Sequence, residues 1–154
     1  MAIATKVKNY LERQHLPFEV VMHPYTHSSR RAAEMAGVPS ERMAKAVLLE
    51  DDRGYVMAVL PASRQVHLGL LGEQMGRTLS LASEDEVASV FSDCAVGAIP
   101  PLGMAYGMEM ICDDSLMANA EIYFEAGDHE ELIRMGRDDF MRICTSARRG
   151  RFCH

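Results

Sequence analysis

Two β-type runs, residues 45–50 (KAVLLE) and 55–60 (YVMAVL), flank the turn residues Asp51-Asp52-Arg53-Gly54. Nothing else in the sequence limits the fold as much. Aliphatic and β-branched residues on either side of a reversal rich in Asp and Gly predict a β-hairpin. The second run is apolar on both faces, so it must be covered from both sides and belongs at the centre of a sheet.

Around this hairpin the pattern changes period irregularly. Val7, Tyr10 and Leu11 recur at helical spacing among Lys6, Lys8, Glu12 and Arg13, which predicts a helix over residues 4–15 stopped by Pro17. Residues 18–22 read as a short strand. Ser28 or Ser29 can cap a helix that runs to Ala36 and ends at Gly37, and Pro39-Ser40-Glu41 opens a brief third one. Further helices are expected over 69–76, over 84–91 behind the capping box of Ser83 and Glu86, and over 137–144. Residues 77–82, 108–112 and 121–126 read as extended, and 146–154 as a loose tail. Interleaved in this way, the elements predict a mixed, mainly antiparallel α+β sheet with surrounding helices rather than a doubly wound fold.

With 154 residues the chain fits a single domain, residues 1–154, burying roughly 70% of its unfolded surface. Lys plus Arg is 16 and Asp plus Glu is 22, a net charge of −6, which excludes a uniformly basic nucleic-acid or membrane-binding surface. No run approaches the roughly 20 apolar residues of a membrane span, and the N-terminus lacks the apolar core of a signal peptide, so a cytoplasmic protein without membrane contact is expected. Cys94, Cys112, Cys144 and Cys153 form no CxxC pair and read as reduced thiols.

Few residues can carry chemistry. Lys45 shares a strand face with Val47 and Leu49, so its amine lies along an apolar surface, where it can hold a phosphate or carboxylate, or act as a base if desolvated. A gatekeeper lysine at a sheet edge would look the same. Residues 97–103 (GAIPPLG) combine two glycines with two prolines and no charge, giving a stiff loop that can present backbone N–H groups to an oxygen atom, or simply a rigid turn. It lacks the ending of a Walker loop and the GxGxxG of dinucleotide folds. His129 follows a strand through Gly127-Asp128, a position at a pocket mouth or on an exposed turn. His23 and His27 flank Pro24, which forbids the helix that would align them, so no metal site is expected. Arg30, Arg31, Arg148, Arg149 and Arg151 can touch phosphates or form an ordinary solvated surface.

Taken in order, KAVLLEDDRGYVMAVLPAS, VGAIPPLG and YFEAGDHEELI resemble the YbaK/prolyl-tRNA-synthetase-associated domain family, also called ProX-type trans-editing domains, across residues 28–143. The resemblance implies a partly barrel-like mixed sheet and hydrolysis of the ester of mischarged tRNA, mostly proline tRNA. It matches Lys45 to the family's essential lysine, Gly97 and Pro101 to its GxxxP loop, and His129 to the histidine after the late strand. Lys45 and Gly97 are then the expected catalytic residues, and Ala98, Ile99, Pro100, Pro101 and His129 line the substrate. No cofactor or metal is implied, and the adjacent ribose hydroxyl assists the attacking water. Expected partners are the acceptor end of aminoacyl-tRNA and, as a further candidate, prolyl-tRNA synthetase, met by a monomer acting in trans on a small residue such as alanine or serine. A noncatalytic module of the same fold, binding tRNA ends or a synthetase, is the competing expectation.

Overall fold

The computed structural model describes residues 4–24, 29–95, 98–145 and 148–154. The expected hairpin is its centre: β2 (Met43–Asp51) pairs antiparallel with β3 (Gly54–Pro61) from Ala44 opposite Pro61 to Asp51 opposite Gly54. Before it come α1 (Thr5–Arg13), β1 (Glu19–Met22) and α2 (Ser29–Met35). After it follow α3 (Leu68–Met75), β4 (Ser80–Leu81), α4 (Glu84–Val90), β5 (Glu109–Asp113), β6 (Glu121–Glu125), β7 (Glu131–Gly136), α5 (Arg137–Thr145) and β8 (Arg148–Gly150).

The strands form one sheet in the order β1-β7-β6-β2-β3-β5-β8, with β4 added on β2. Four ladders are antiparallel and three, β2 with β6, β3 with β5 and β5 with β8, are parallel. This is the mixed α+β architecture expected. β3 lies between β2 and β5 and is buried from Val56 to Pro61, as a strand apolar on both faces must be.

Each face of the sheet has its own cover. Leu48, Met57, Val59, Met110 and Phe124 pack under Val7, Tyr10 and Leu11 of α1 and Phe140 and Ile143 of α5. On the other face Leu49, Val56, Ala58, Leu60 and Ile111 meet Leu71 and Met75 of α3 and Phe152. A smaller cluster joins Ala32 and Ala33 of α2 to Met43, Ala62 and Leu132. Local signals act as their chemistry requires: Ser83 and Glu86 complete a reciprocal capping box at α4, and Gly37 stands at φ +71° just past α2.

One sequence expectation is corrected. The C-terminal residues are not a loose tail: β8 joins β5, Phe152 is fully buried, and Gln65 and His154 exchange backbone hydrogen bonds of 2.9 and 3.0 Å. Burying a phenylalanine contributes roughly 2 kcal/mol, enough to hold a short segment whose charged flank conceals its one anchor. β7 is an element that local patterning does not announce: the chain reverses at Gly127-Asp128-His129, and β7 then pairs with β6 from Leu132 opposite Glu125 to Gly136 opposite Glu121. Among the described residues, no helix is long and apolar enough to cross a membrane.

Candidate active site

Lys45 sits near the start of β2, half-buried and paired with Leu60. Its strand face is the one expected, since Leu60 and Leu49 belong to the apolar cluster under α3. β6 runs parallel beside it. The ladder pairs Met43 with Tyr123 and Ala44 with Phe124, so the next positions in register are Lys45 and Glu125, on the same face.

Glu125 was not anticipated, yet it is 1% exposed and its Oε1 lies 3.1 Å from His129 Nδ1. A glutamate at an inward position of the otherwise apolar run IYFEA was the available signal, and alternation alone would have put it beside Lys45 only once the parallel register was known.

His129 is neither on an exposed turn nor loosely placed at a mouth; it is 1% exposed. The turn that carries it is tightly built. Asp128 Oδ1 accepts hydrogen bonds from the backbone N–H groups of Glu130 at 3.0 Å and Glu131 at 2.9 Å. Gly127 has φ +117° and His129 φ +53°, conformations that L residues other than glycine adopt only when their surroundings impose them. A Cβ on Gly127 would lie 2.9 Å from the Ala4 Cβ, so the position is closed from outside as well. His23, 7% exposed, joins the same turn by donating its backbone N–H to the Glu130 carbonyl at 2.8 Å. Its Nε2 and Asp128 Oδ2 are buried without a hydrogen-bond partner among the described residues.

The proline loop docks on this turn. The Ala95 N–H donates to the Gly127 carbonyl at 2.7 Å, and the Ala98 N–H returns to the Ala95 carbonyl at 3.1 Å. Ala98, Pro100 and Pro101 are buried and Ile99 is half-buried. Gly97 lies outside the described residues, as does His27. Ala98's amide is engaged within the loop, and Pro100 and Pro101 have none to offer. The loop also lines an apolar recess of about 210 Å³ with Val87, Phe91 and Cys94. There burial pushes the Cys94 thiol up to about 12, which removes it as a nucleophile near neutral pH.

Several of the arginines have partners of their own. Arg31 pairs with Glu34 at 2.9 Å, Arg149 with Asp114 at 3.1 Å, and Arg148 reaches the Gln74 carbonyl at 3.1 Å from the far edge of the sheet.

The arrangement thus brings a lysine, a buried carboxylate–imidazole pair and a rigid loop to one end of the sheet. The profile of the Aminoacyl-tRNA editing domain family matches residues 23–143, most of the chain, and the chain belongs to that family, of the YbaK/ProX type. A proline–tRNA ligase of Pseudothermotoga lettingae is 29% identical over 89 residues, 57% of this chain but only 15% of the ligase. Among solved structures, one described as a putative trans-editing enzyme for prolyl tRNA synthetase superposes with a TM-score of 0.83 at 22% identity, covering 98% of this chain and 96% of the other. A hypothetical protein superposes with a TM-score of 0.85 at 20% identity, over 97% and 99% of the two chains. These structural likenesses concern the fold.

Proposed function

We propose that this chain is a trans-acting aminoacyl-tRNA deacylase that hydrolyses the ester of mischarged tRNA, proline tRNA carrying alanine or serine being the substrate we assign. The observation that supports this reading is that the Ala95 N–H donates to the Gly127 carbonyl at the head of the His129 turn, while Lys45 lies on the strand beside β6, from which that turn emerges. Family membership supports editing as the broad activity. Action in trans is supported by the likeness, over nearly the full length of both chains, to the putative trans-editing enzyme.

Ester hydrolysis needs water held against the carbonyl and donors aimed at the oxyanion that develops. With the Ala98 amide engaged, the loop donors we assign are the N–H groups of Gly97 and Ile99, the prolines keeping the loop stiff around them. Lys45, as a cation, holds the terminal phosphate or carbonyl region, which needs no large change in its proton affinity. The neighbouring ribose hydroxyl of the tRNA assists the attacking water. Incubating the protein with a panel of mischarged tRNAs tests this: faster loss of Ala- or Ser-tRNA(Pro) than of Pro-tRNA(Pro) is expected. Binding of tRNA ends without turnover of any ester would favour the noncatalytic module instead.

A further inference from the structure

Glu125 is a carboxylate at a place in a strand where an apolar residue would serve packing better. Its neighbours suggest why it is there. His129 Nδ1 lies 3.1 Å from Oε1, both side chains are buried, and Lys45 and Glu125 stand one position past the parallel pairs Met43–Tyr123 and Ala44–Phe124. A buried carboxylate is tolerated only when charged or hydrogen-bonding partners surround it, and His129 supplies one of them. The His129 backbone is held at φ +53° by a turn that Asp128 closes and Ala95 braces, so the ring reaches Glu125 from a fixed base.

The two ionisation states of Glu125 have opposite consequences for the imidazole. An ionised carboxylate is an acceptor only, so His129 must donate through Nδ1–H, and the neutral ring then carries an acceptor at Nε2. A protonated Glu125 would instead donate to Nδ1 and force the proton onto Nε2. The cationic side chain of Lys45 beside it in register favours the ionised form.

We propose that Glu125 is a positioning residue: as an anion shared by Lys45 and His129, it sets the imidazole in the tautomer whose Nε2 accepts a hydrogen bond from an N–H or O–H donor of the substrate, and it restrains the lysine from the neighbouring strand. The consequence for turnover rests on the deacylase reading above, whereas the tautomer does not. One residue then coordinates the two side chains that the sequence singled out separately.

The test is long-range 1H–15N correlation NMR on the full chain labelled with 13C and 15N, with the His129 ring signals assigned in the wild type by through-bond correlation from its own backbone. The neutral wild-type ring should carry its proton on Nδ1, and Glu125→Gln should abolish that single-tautomer signature. In deacylation, Glu125→Gln should lower kcat about ten- to a hundredfold with little change in KM, as expected for loss of a charge-assisted hydrogen bond, and Glu125→Asp should recover part of both readouts. A wild-type His129 protonated on Nε2 when neutral overturns the proposal, and this measurement stands even if the variants do not fold. An unchanged tautomer and kcat in a folded Glu125→Gln overturns it equally. The expected tautomer in a protein that hydrolyses no mischarged tRNA supports the positioning role and counts against the deacylase reading.

Discussion

The Ala95 N–H donates to the Gly127 carbonyl at 2.7 Å, and that one bond ties the proline loop to the turn that carries His129. Ala95 and Gly127 are 32 positions apart, so the bond joins segments from different parts of the fold. Such ties help a site to hold donors and an imidazole in fixed relation to one carbonyl group.

Gly127 is therefore the position at which a small change should cost most. Its φ of +117° strains any residue with a Cβ, and that atom would meet the Ala4 side chain at 2.9 Å. Gly127→Ala is expected to lose about 1–3 kcal/mol of stability and to slow deacylation with it. Urea denaturation alongside ester hydrolysis checks the pairing; a variant of native stability would show that the turn relaxes freely.

Lys45→Ala should separate chemistry from folding. The residue is half-buried near a strand start, so truncation opens no enclosed cavity, and the melting temperature should move by only a few degrees. Deacylation should fall about a hundredfold or more if the amine holds charge at the reacting ester. Undiminished hydrolysis would remove Lys45 from the site.

His129→Ala should behave differently, because the imidazole is buried against Glu125. Leaving that carboxylate without one of its partners costs roughly 1–3 kcal/mol. Amino-acid preference or efficiency should change more than tRNA affinity does. A variant whose only defect is tRNA binding would contradict a place beside the ester.

These contrasts show what was legible in the sequence. The central hairpin was readable because its apolar patterning and turn chemistry are local, and α4 because a capping box is complete within four residues. Lys45 and His129 could be singled out as residue types in unusual surroundings. The relation of Lys45 to Glu125 and its histidine could not, since it depends on β2 and β6 pairing in parallel across a long separation, which no local pattern encodes. β8 escaped for a related reason: Arg148 and Arg149 look like solvated surface until β5 supplies a partner and Phe152 an anchor.

That anchor should be sensitive to acid. Burial alone would raise the pKa of Asp113, but its carboxylate accepts hydrogen bonds from the Phe152 N–H at 2.8 Å and from the Ser115 hydroxyl and N–H at 2.6 and 2.9 Å, and the balance lies below the ordinary 3.8. The unfolded chain thus takes up the proton first. The stabilisation is complete above about pH 4 and is lost as pH falls through the lower folded value. Asp113→Asn should be less stable than wild type near neutrality, and the gap should narrow below about pH 4 in urea titrations. A gap that is independent of pH would mean the carboxylate's charge contributes nothing.

The last expectation concerns how an acidic chain can work on tRNA at all. With a net charge of −6, the protein can attract the polyanion only locally. Several of the arginines that could widen that attraction are paired with carboxylates: Arg77 with Asp51 at 2.5 Å and Glu109 at 3.1 Å, Arg149 with Asp114, and Arg31 with Glu34. Recruiting them to phosphate would mean giving up carboxylate partners, so end-only contact, about two or three phosphates near Lys45, is the economical arrangement. Each neutralised phosphate adds about −0.7 to −0.9 to the slope of log affinity against log salt, so two or three give a total of about −1.4 to −2.7 and weak, rapidly released binding. Titrating labelled tRNA across a salt series measures that slope. A value as steep as about −6 would require a broad basic face formed by breaking those ion pairs, and a slope of zero would rule out phosphate contact, whereas an intermediate slope that Lys45→Ala reduces by about one unit would assign one of the contacts to the lysine itself.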